Sequence, residues 1–276
     1  MLPDSPDTAA EPFLSPEEAI SNLQGDDLGL RIYAAWWLGR FRVKRPEVVS
    51  GLIAALKDSD DRTPNGGYPL RRNAARSLGK LEDLQAVKPL IDSLSSTDFY
   101  VREAAAQSLE MLGSKDSMSP LLSLLRNEIA SDYPAPEPPN LSQPYDAILE
   151  ALGTLGATEA IDDIVPFLEH PVERIQFSAA RALYQLASGP DAAQPYAERL
   201  IEALQNDSLQ LRRVALADLG VIGYLPAAQP IANTLAENSL KLISLRGLVE
   251  GNLQEANLPT LDPDSVQVME LMDQLL

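Results

Sequence analysis

A ten-residue pattern, L/V-R-x-x-A-A-x-x-L-G, recurs along this chain. A chain that repeats itself in this way buries its apolar residues by stacking copies of one short unit. The clearest copies are LRIYAAWWLG from Leu30 to Gly39, LRRNAARSLG from Leu70 to Gly79, VREAAAQSLE from Val101 to Glu110 and LRRVALADLG from Leu211 to Gly220. Weaker copies run from Pro144 to Gly153, Ile175 to Tyr184 and Leu240 to Val249. Anchored on the arginine position, the seven copies fall at residues 31, 71, 102, 145, 176, 212 and 241, a spacing of 29 to 43 residues.

Each anchor segment follows a second amphipathic one, such as EVVSGLIAAL (Glu47 to Leu56) or AVKPLIDSL (Ala86 to Leu94), whose apolar residues fall three and four apart as a buried helix stripe requires. Ser15-Pro16-Glu17-Glu18 reads as a capping-box start with Pro at the first helical position. Paired helices joined by Asp-rich turns and followed by Gly predict an all-α, HEAT-like helical-repeat solenoid of about seven helix pairs, the second helix of each lining the concave face. An acidic tail is expected over 1–14, front repeats over 15–126, a Pro-rich insertion over 127–144, back repeats over 145–251 and a capping segment over 252–276. Five prolines in NEIASDYPAPEPPNLSQP exclude a continuous helix through the insertion.

Composition removes several classes of function. The chain of 276 residues has no Cys, so disulfides, thiolate metal sites and a cysteine nucleophile are excluded; its single histidine, His170, leaves no metal cage and argues against a Ser-His-Asp triad. No stretch of about 18 apolar residues predicts a membrane span, and the acidic start does not read as a signal peptide, so a cytoplasmic protein is expected. A net charge of −18 opposes nucleic acid and anionic membrane surfaces. Yet residues 31–102 hold 13 bases against eight acids, and seven of the 15 aromatics, both tryptophans included.

That block carries the candidate site. The anchor arginines Arg31, Arg71, Arg102 and Arg212 are expected to reach an Asp in a neighbouring turn, such as Asp27, Asp60, Asp98 or Asp207, forming a structural ladder. Arg40, Arg42, Arg72 and Arg76 fall outside that slot and leave a surplus of positive charge. Trp36 aligns within the repeat with Arg76, Gln107 and Arg181, and Trp37 with Ser77, Ser108 and Ala182. An aromatic in such a slot either fills a gap beside the N-terminal repeat or faces a ligand, and both remain open. The ligand-binding candidates are Tyr33, Trp36, Trp37, Arg40, Tyr68, Arg71, Arg72, Arg76, Tyr100 and Arg102. Rings beside guanidinium groups suit a planar, conjugated anion, with a groove for an acidic protein segment as the alternative. Asp98 and Glu103 are the candidates for accepting N–H bonds or moving protons. Phosphate loops, H-E-x-x-H and G-x-S-x-G are absent.

The strings NLQGDDLGLRIYAAWWLGRFRV (Asn22 to Val43), GGYPLRRNAARSLGKL (Gly66 to Leu81) and DFYVREAAAQSLEMLG (Asp98 to Gly113) resemble the E-type subunits of the cyanobacterial bilin lyases. The resemblance implies a heterodimer with an F-type subunit. Together the two would attach phycocyanobilin, as substrate rather than bound cofactor, through a thioether to a cysteine of apo-α-phycocyanin. It leaves open the isomerising lyase of phycoerythrocyanin, whose product is phycoviolobilin, and a non-catalytic scaffold for phycobilisome assembly.

Overall fold

The computed structural model describes residues 14–60, 62–127, 141–256 and 262–276, and all its regular structure is helical. The first pair is α1 (Pro16–Gln24) and α2 (Leu28–Arg40), followed by α3 (Pro46–Ala55) with α4 (Pro69–Leu81) and α5 (Val87–Ser93) with α6 (Phe99–Leu112). Then come α7 (Met118–Arg126) with α8 (Tyr145–Leu155), α9 (Ile161–Ile164, continued by a 3-10 turn over Val165–Glu169) with α10 (Glu173–Leu186), and α11 (Pro190–Ala203) with α12 (Leu209–Ile222). The last pair is α13 (Ala228–Asn233) and α14 (Asn238–Ala256), and α15 (Pro263–Leu275) follows. The expected seven pairs are therefore present, with every anchor segment on a second helix.

Local chemistry sets the helix ends. Ser15 caps α1 by accepting from the Glu18 amide while Glu18 reaches back to the Ser15 amide, the box read from the sequence. Asp27 caps α2 through the Leu30 amide, and Pro starts α1, α3, α4, α11 and α15, where its missing N–H costs nothing. Gly156 and Gly223 take the left-handed conformation after α8 and α12. After α2 and α4 the same conformation falls on Arg42 (φ 49°) and Glu82 (φ 58°), side chains that pay a steric cost there.

The glycine that ends four of the seven copies is expected to follow its helix, but it lies inside. Gly79 is buried in α4, where an added Cβ would sit 2.6 Å from the Ser108 hydroxyl on α6. Gly39 meets Ser77 in the same way. The hydroxyls then bond across the seam, Ser77 to the Ala35 carbonyl at 2.6 Å and Ser108 to the Ala75 carbonyl at 2.8 Å. Small residues thus let consecutive second helices approach closely, and that close approach fixes the repeat's A-A-x-x-L-G spacing.

The described chain divides into two compact units between Leu112 and Gly113. In the first, α2, α4 and α6 pack side by side over a core that includes Leu38, Leu52, Leu70, Leu78, Leu90 and Leu109, all fully buried. In the second, α8, α10, α12 and α14 form the corresponding row, with α15 laying Val268, Leu271, Met272 and Leu275 on the last pair as a cap. Helix α14 continues through residue 252, so the cap begins with α15. The tail over 1–13 and most of the insertion, residues 128–140, lie outside the described residues. The described ends of the insertion join α7 to its own partner α8, so it falls inside a helix pair of the second unit, and the division between units comes one helix earlier, before α7. Among the described residues no helix is long and apolar enough to cross a membrane.

Candidate functional site: the aromatic and cationic face of the first unit

The second helices of the first unit show one register of accessible positions. Counting the anchor residue as zero, positions one, five and nine are Ile32, Trp36 and Arg40 on α2, Arg72, Arg76 and Lys80 on α4, and Glu103, Gln107 and Met111 on α6; each is exposed or half-buried. Residues four apart share a helix face, so these nine positions form a three-by-three surface in which the middle helix contributes only cations.

Its aromatic corner is on α2. Trp36 is 43% exposed and lies beside Tyr33, 50% exposed, with ring centroids 5.5 Å apart. Trp37 faces the other way: it is 7% exposed and packs on Phe41 at 4.6 Å. The two readings of an aromatic in these slots therefore divide between neighbours, Trp37 filling the gap beside the first repeat and Trp36 facing solvent.

The carboxylates divide as well. Asp98 is 0% exposed. One oxygen accepts from the Tyr68 amide and from Arg72 Nε, each at 2.7 Å, and the other from the Tyr100 amide at 2.8 Å. It caps the start of α6 and clamps it to the start of α4, which leaves it enclosed and engaged by structural donors. Glu103 is the accessible one, 3.4 Å from Arg76.

The anchor arginines reach the neighbouring turns, Arg31 through an aspartate side chain as expected and Arg71, Arg102 and Arg212 through carbonyls. Arg31 pairs with Asp58, Arg71 Nε donates to the Asp58 carbonyl at 2.6 Å, Arg102 to the Ser96 carbonyl at 2.6 Å, and Arg212 to the carbonyls of Asn206, Asp207 and Leu235 at 2.6, 3.0 and 2.9 Å. The turn between helices leaves carbonyls without intrahelical partners, and a guanidinium with five donors collects them. Arg102 is fully enclosed; burial pushes its pKa down, and the nearby Asp98 charge partly restores it. This places Arg102 in the core of the unit rather than on its ligand-accessible face.

Arg71 and Arg72 lie over rings, Arg71 at 3.8 Å from the Tyr68 centroid and Arg72 at 4.7 Å from that of Tyr100. Both are anchored through their Nε atoms, so the structure groups Tyr68, Arg72 and Tyr100 around Asp98 at the start of α4 and α6, with Arg71 over the Tyr68 ring. Tyr33, Trp36, Arg40 and Arg76 belong to the open middle and far end of the face. Lys80 and Gln107 also belong there; the sequence reading met Gln107 only as the residue aligned with Trp36 and missed Lys80. Following the register to position nine, rather than comparing only the tryptophan slots, would have found it.

His170 lies at the end of the 3-10 turn, its ring stacked on Phe167 and its Nδ1 accepting from the Val172 amide at 3.1 Å, which is a local structural role. Among the described residues no group of three or more His, Asp or Glu side chains is placed to hold a metal ion.

Comparison with known proteins decides the family. Models of the PBS lyase HEAT-like repeat match residues 30–58 and 145–170, and a HEAT-repeat model matches 67–133. The phycocyanobilin lyase subunit alpha of Microchaete diplosiphon is 62% identical over 264 residues, covering 95% of this chain and 90% of that protein. The subunit alpha of Picosynechococcus is 57% identical over 261 residues, covering 94% and 96%. This chain belongs to the phycocyanobilin lyase alpha-subunit family. A structure of the complex of CpcE and CpcF of phycocyanin lyase from Nostoc matches all of both chains with a TM-score of 0.86 at 54% identity. The bilin biosynthesis protein PecE of Nostoc is more distant, 43% identical over 88% of this chain and 90% of that protein.

Proposed function

We propose that this chain is the alpha, or E-type, subunit of a heterodimeric lyase that attaches phycocyanobilin to a cysteine of apo-α-phycocyanin. The observation that carries the reading is its full-length likeness to a chain solved in complex with CpcF. The bilin is substrate, the F-type chain is the partner, and apo-α-phycocyanin is the acceptor. The isomerising alternative is less favoured, because the PecE match is weaker than the subunit-alpha matches.

The reaction is an addition. A thiol sulfur bonds to the ethylidene carbon of the bilin A ring, the double bond's electron pair moves into the ring system, and the ring takes up one proton for the one the thiol gives up. Nothing leaves. Because this chain has no Cys, the sulfur belongs to the acceptor. The work left to this subunit is to fix one bilin conformation and keep the ethylidene carbon open to the thiol. Trp36 and Tyr33 supply ring faces for stacking, and Arg76 supplies positive charge. Glu103, half-buried against Arg76, is our candidate for accepting a pyrrole N–H or moving a proton. Asp98 acts at one remove, by holding Tyr68, Arg72 and Tyr100 in place.

The test is co-expression with an F-type subunit, phycocyanobilin synthesis and apo-α-phycocyanin, omitting each lyase chain in turn and reading bilin fluorescence on the denatured α-subunit. Attachment that requires both chains and carries a phycocyanobilin spectrum is the expected result. Attachment without this chain would make it an accessory scaffold, and a blue-shifted phycoviolobilin product would assign it to the isomerising enzyme.

A further inference from the structure

Arg40 and Lys80 occupy the same position, nine residues past the anchor, on the adjacent helices α2 and α4. Among the described residues neither side chain makes an ion pair or a hydrogen bond. The other cations of this face are engaged, Arg72 by Asp98 and Arg76 by Glu103. The carboxylate just past α4, Glu82, is taken by Lys44 at 2.7 Å and Arg42 at 3.6 Å; the Lys44 hydrogen bond and then the two positive charges hold its pKa below the usual range. Two adjacent uncompensated cations are therefore left on a chain whose net charge is −18.

A cation in the last turn of a helix interacts favourably with the helix dipole, but that does not account for the pair. The same position on the other second helices holds Met111, Thr154, Gln185, Val221 and Glu250, so the scaffold places no demand for positive charge there. The setting instead matches an anion with a ring system. Trp36 lies one turn before Arg40 and Arg76 one turn before Lys80. The four residues thus mark a rectangle of about 6 Å along the helices by about 9 Å between them. One corner is an exposed ring and the other three are cations.

We propose that Arg40 and Lys80 are the carboxylate subsite of this surface. They select bilins with free propionates while Trp36 takes a ring face. The inference rests on the lyase reading and adds to it a specificity-determining pair that includes Lys80.

The test uses the heterodimer with its F-type partner, without acceptor protein. Binding of phycocyanobilin and of its dimethyl ester is followed by the change in bilin absorption. The wild type is expected to bind the diacid about tenfold more tightly than the ester, the factor one charge-assisted contact supplies. The double variant Arg40→Met, Lys80→Met should bind both ligands with the ester's affinity, and Lys80→Arg should keep the preference. Trp36→Ala should weaken both ligands together. Heterodimer formation and thermal midpoint check that the exposed substitutions leave the fold intact. Equal affinity of the wild type for diacid and ester, or a preference retained by the double variant, would overturn the proposal. No binding of either ligand by the wild type would instead overturn the lyase reading on which it rests.

Discussion

The two units use one backbone scheme and finish it in opposite ways. On the first, the accessible positions of α4 are Arg72, Arg76 and Lys80, and cation outnumbers anion. On the second, the corresponding positions are Asp146, Glu150 and Thr154 on α8, Phe177, Arg181 and Gln185 on α10, Arg213, Ala217 and Val221 on α12, and Leu242, Arg246 and Glu250 on α14. There the charges close on one another. Arg174 pairs with Asp146, Arg181 with Glu150 at 2.9 Å, Arg213 with Glu237, and Arg246 with Glu250 at 2.7 Å. Stacking helices repeats the register, but in the second unit Asp146, Phe177 and Arg181 on it are buried and its charges pair, whereas in the first unit all nine positions stay at least partly accessible.

The sharpest way to break the comparison is to remove one guanidinium from each unit. Arg181 is buried beside Glu150 and Asp218, so Arg181→Met leaves the enclosed Asp218 and the half-buried Glu150 without their cation and should cost about 3–5 kcal/mol. Arg76→Met loses only a half-exposed pair to Glu103 and should cost no more than about 0.5 kcal/mol. Urea denaturation of both variants checks the contrast; equal losses would remove it. Next in size is Asp98→Ala, which strips a cap from α6 and leaves Arg72 without its carboxylate, at a cost of about 2–3 kcal/mol. Asp98→Asn keeps an acceptor for the Tyr100 amide and should recover about half of that loss.

The third way is pH. Asp218 occupies the slot that holds Ser77 and Ser108 in the first unit, and its pKa is raised to about 7, by burial first and by the negative charge of Glu150 on α8 second. Arg181 and Arg174 on α10 oppose the rise without cancelling it. The folded state therefore binds more protons than the unfolded chain between about pH 4 and 7, and stability falls across that window as pH rises, levelling above it. Asp218→Asn removes the slope. Denaturation midpoints of the two proteins should converge toward pH 4 and separate toward pH 8, with the variant the more stable. Ser77→Ala, at the same slot of the first unit, changes stability by a constant amount at every pH.

Much of this was legible in the sequence because a repeat is read by comparison with itself. The anchor spacing gave seven helix pairs, and the same alignment drew attention to Trp36 and Trp37. It did not say which of the two is buried, because adjacent helix residues lie 100° apart and only the packing of α2 on α4 decides. Nor did it separate Asp98 from Glu103. Both are acids near the start of α6, but one turns inward as a cap and the other outward. The carbonyl partners of Arg71, Arg102 and Arg212 were not foreseen for a related reason. Carbonyls left by a turn carry no sequence signature, whereas aspartates do. The cross-seam hydroxyls of Ser77 and Ser108 were visible only as small residues.

The smallest expected effect concerns how the repeats end. In the second unit α8 and α12 close on Gly156 and Gly223, which accept the left-handed conformation without strain. In the first unit Glu82 carries that conformation and offsets its strain with exposed pairs to Lys44 and Arg42, which salt screens. Glu82→Gly relieves the backbone while losing those pairs, so the denaturation midpoint should change little at low salt and rise slightly at high salt. It also removes the carboxylate that occupies Lys44 and Arg42 beside the Arg40 and Lys80 row. If uncompensated positive charge at this end of α2 and α4 is what the bilin diacid recognises, the variant should bind the diacid more tightly at low salt and leave the ester unchanged. A variant that gains stability without gaining diacid affinity would confine recognition to Arg40 and Lys80 themselves.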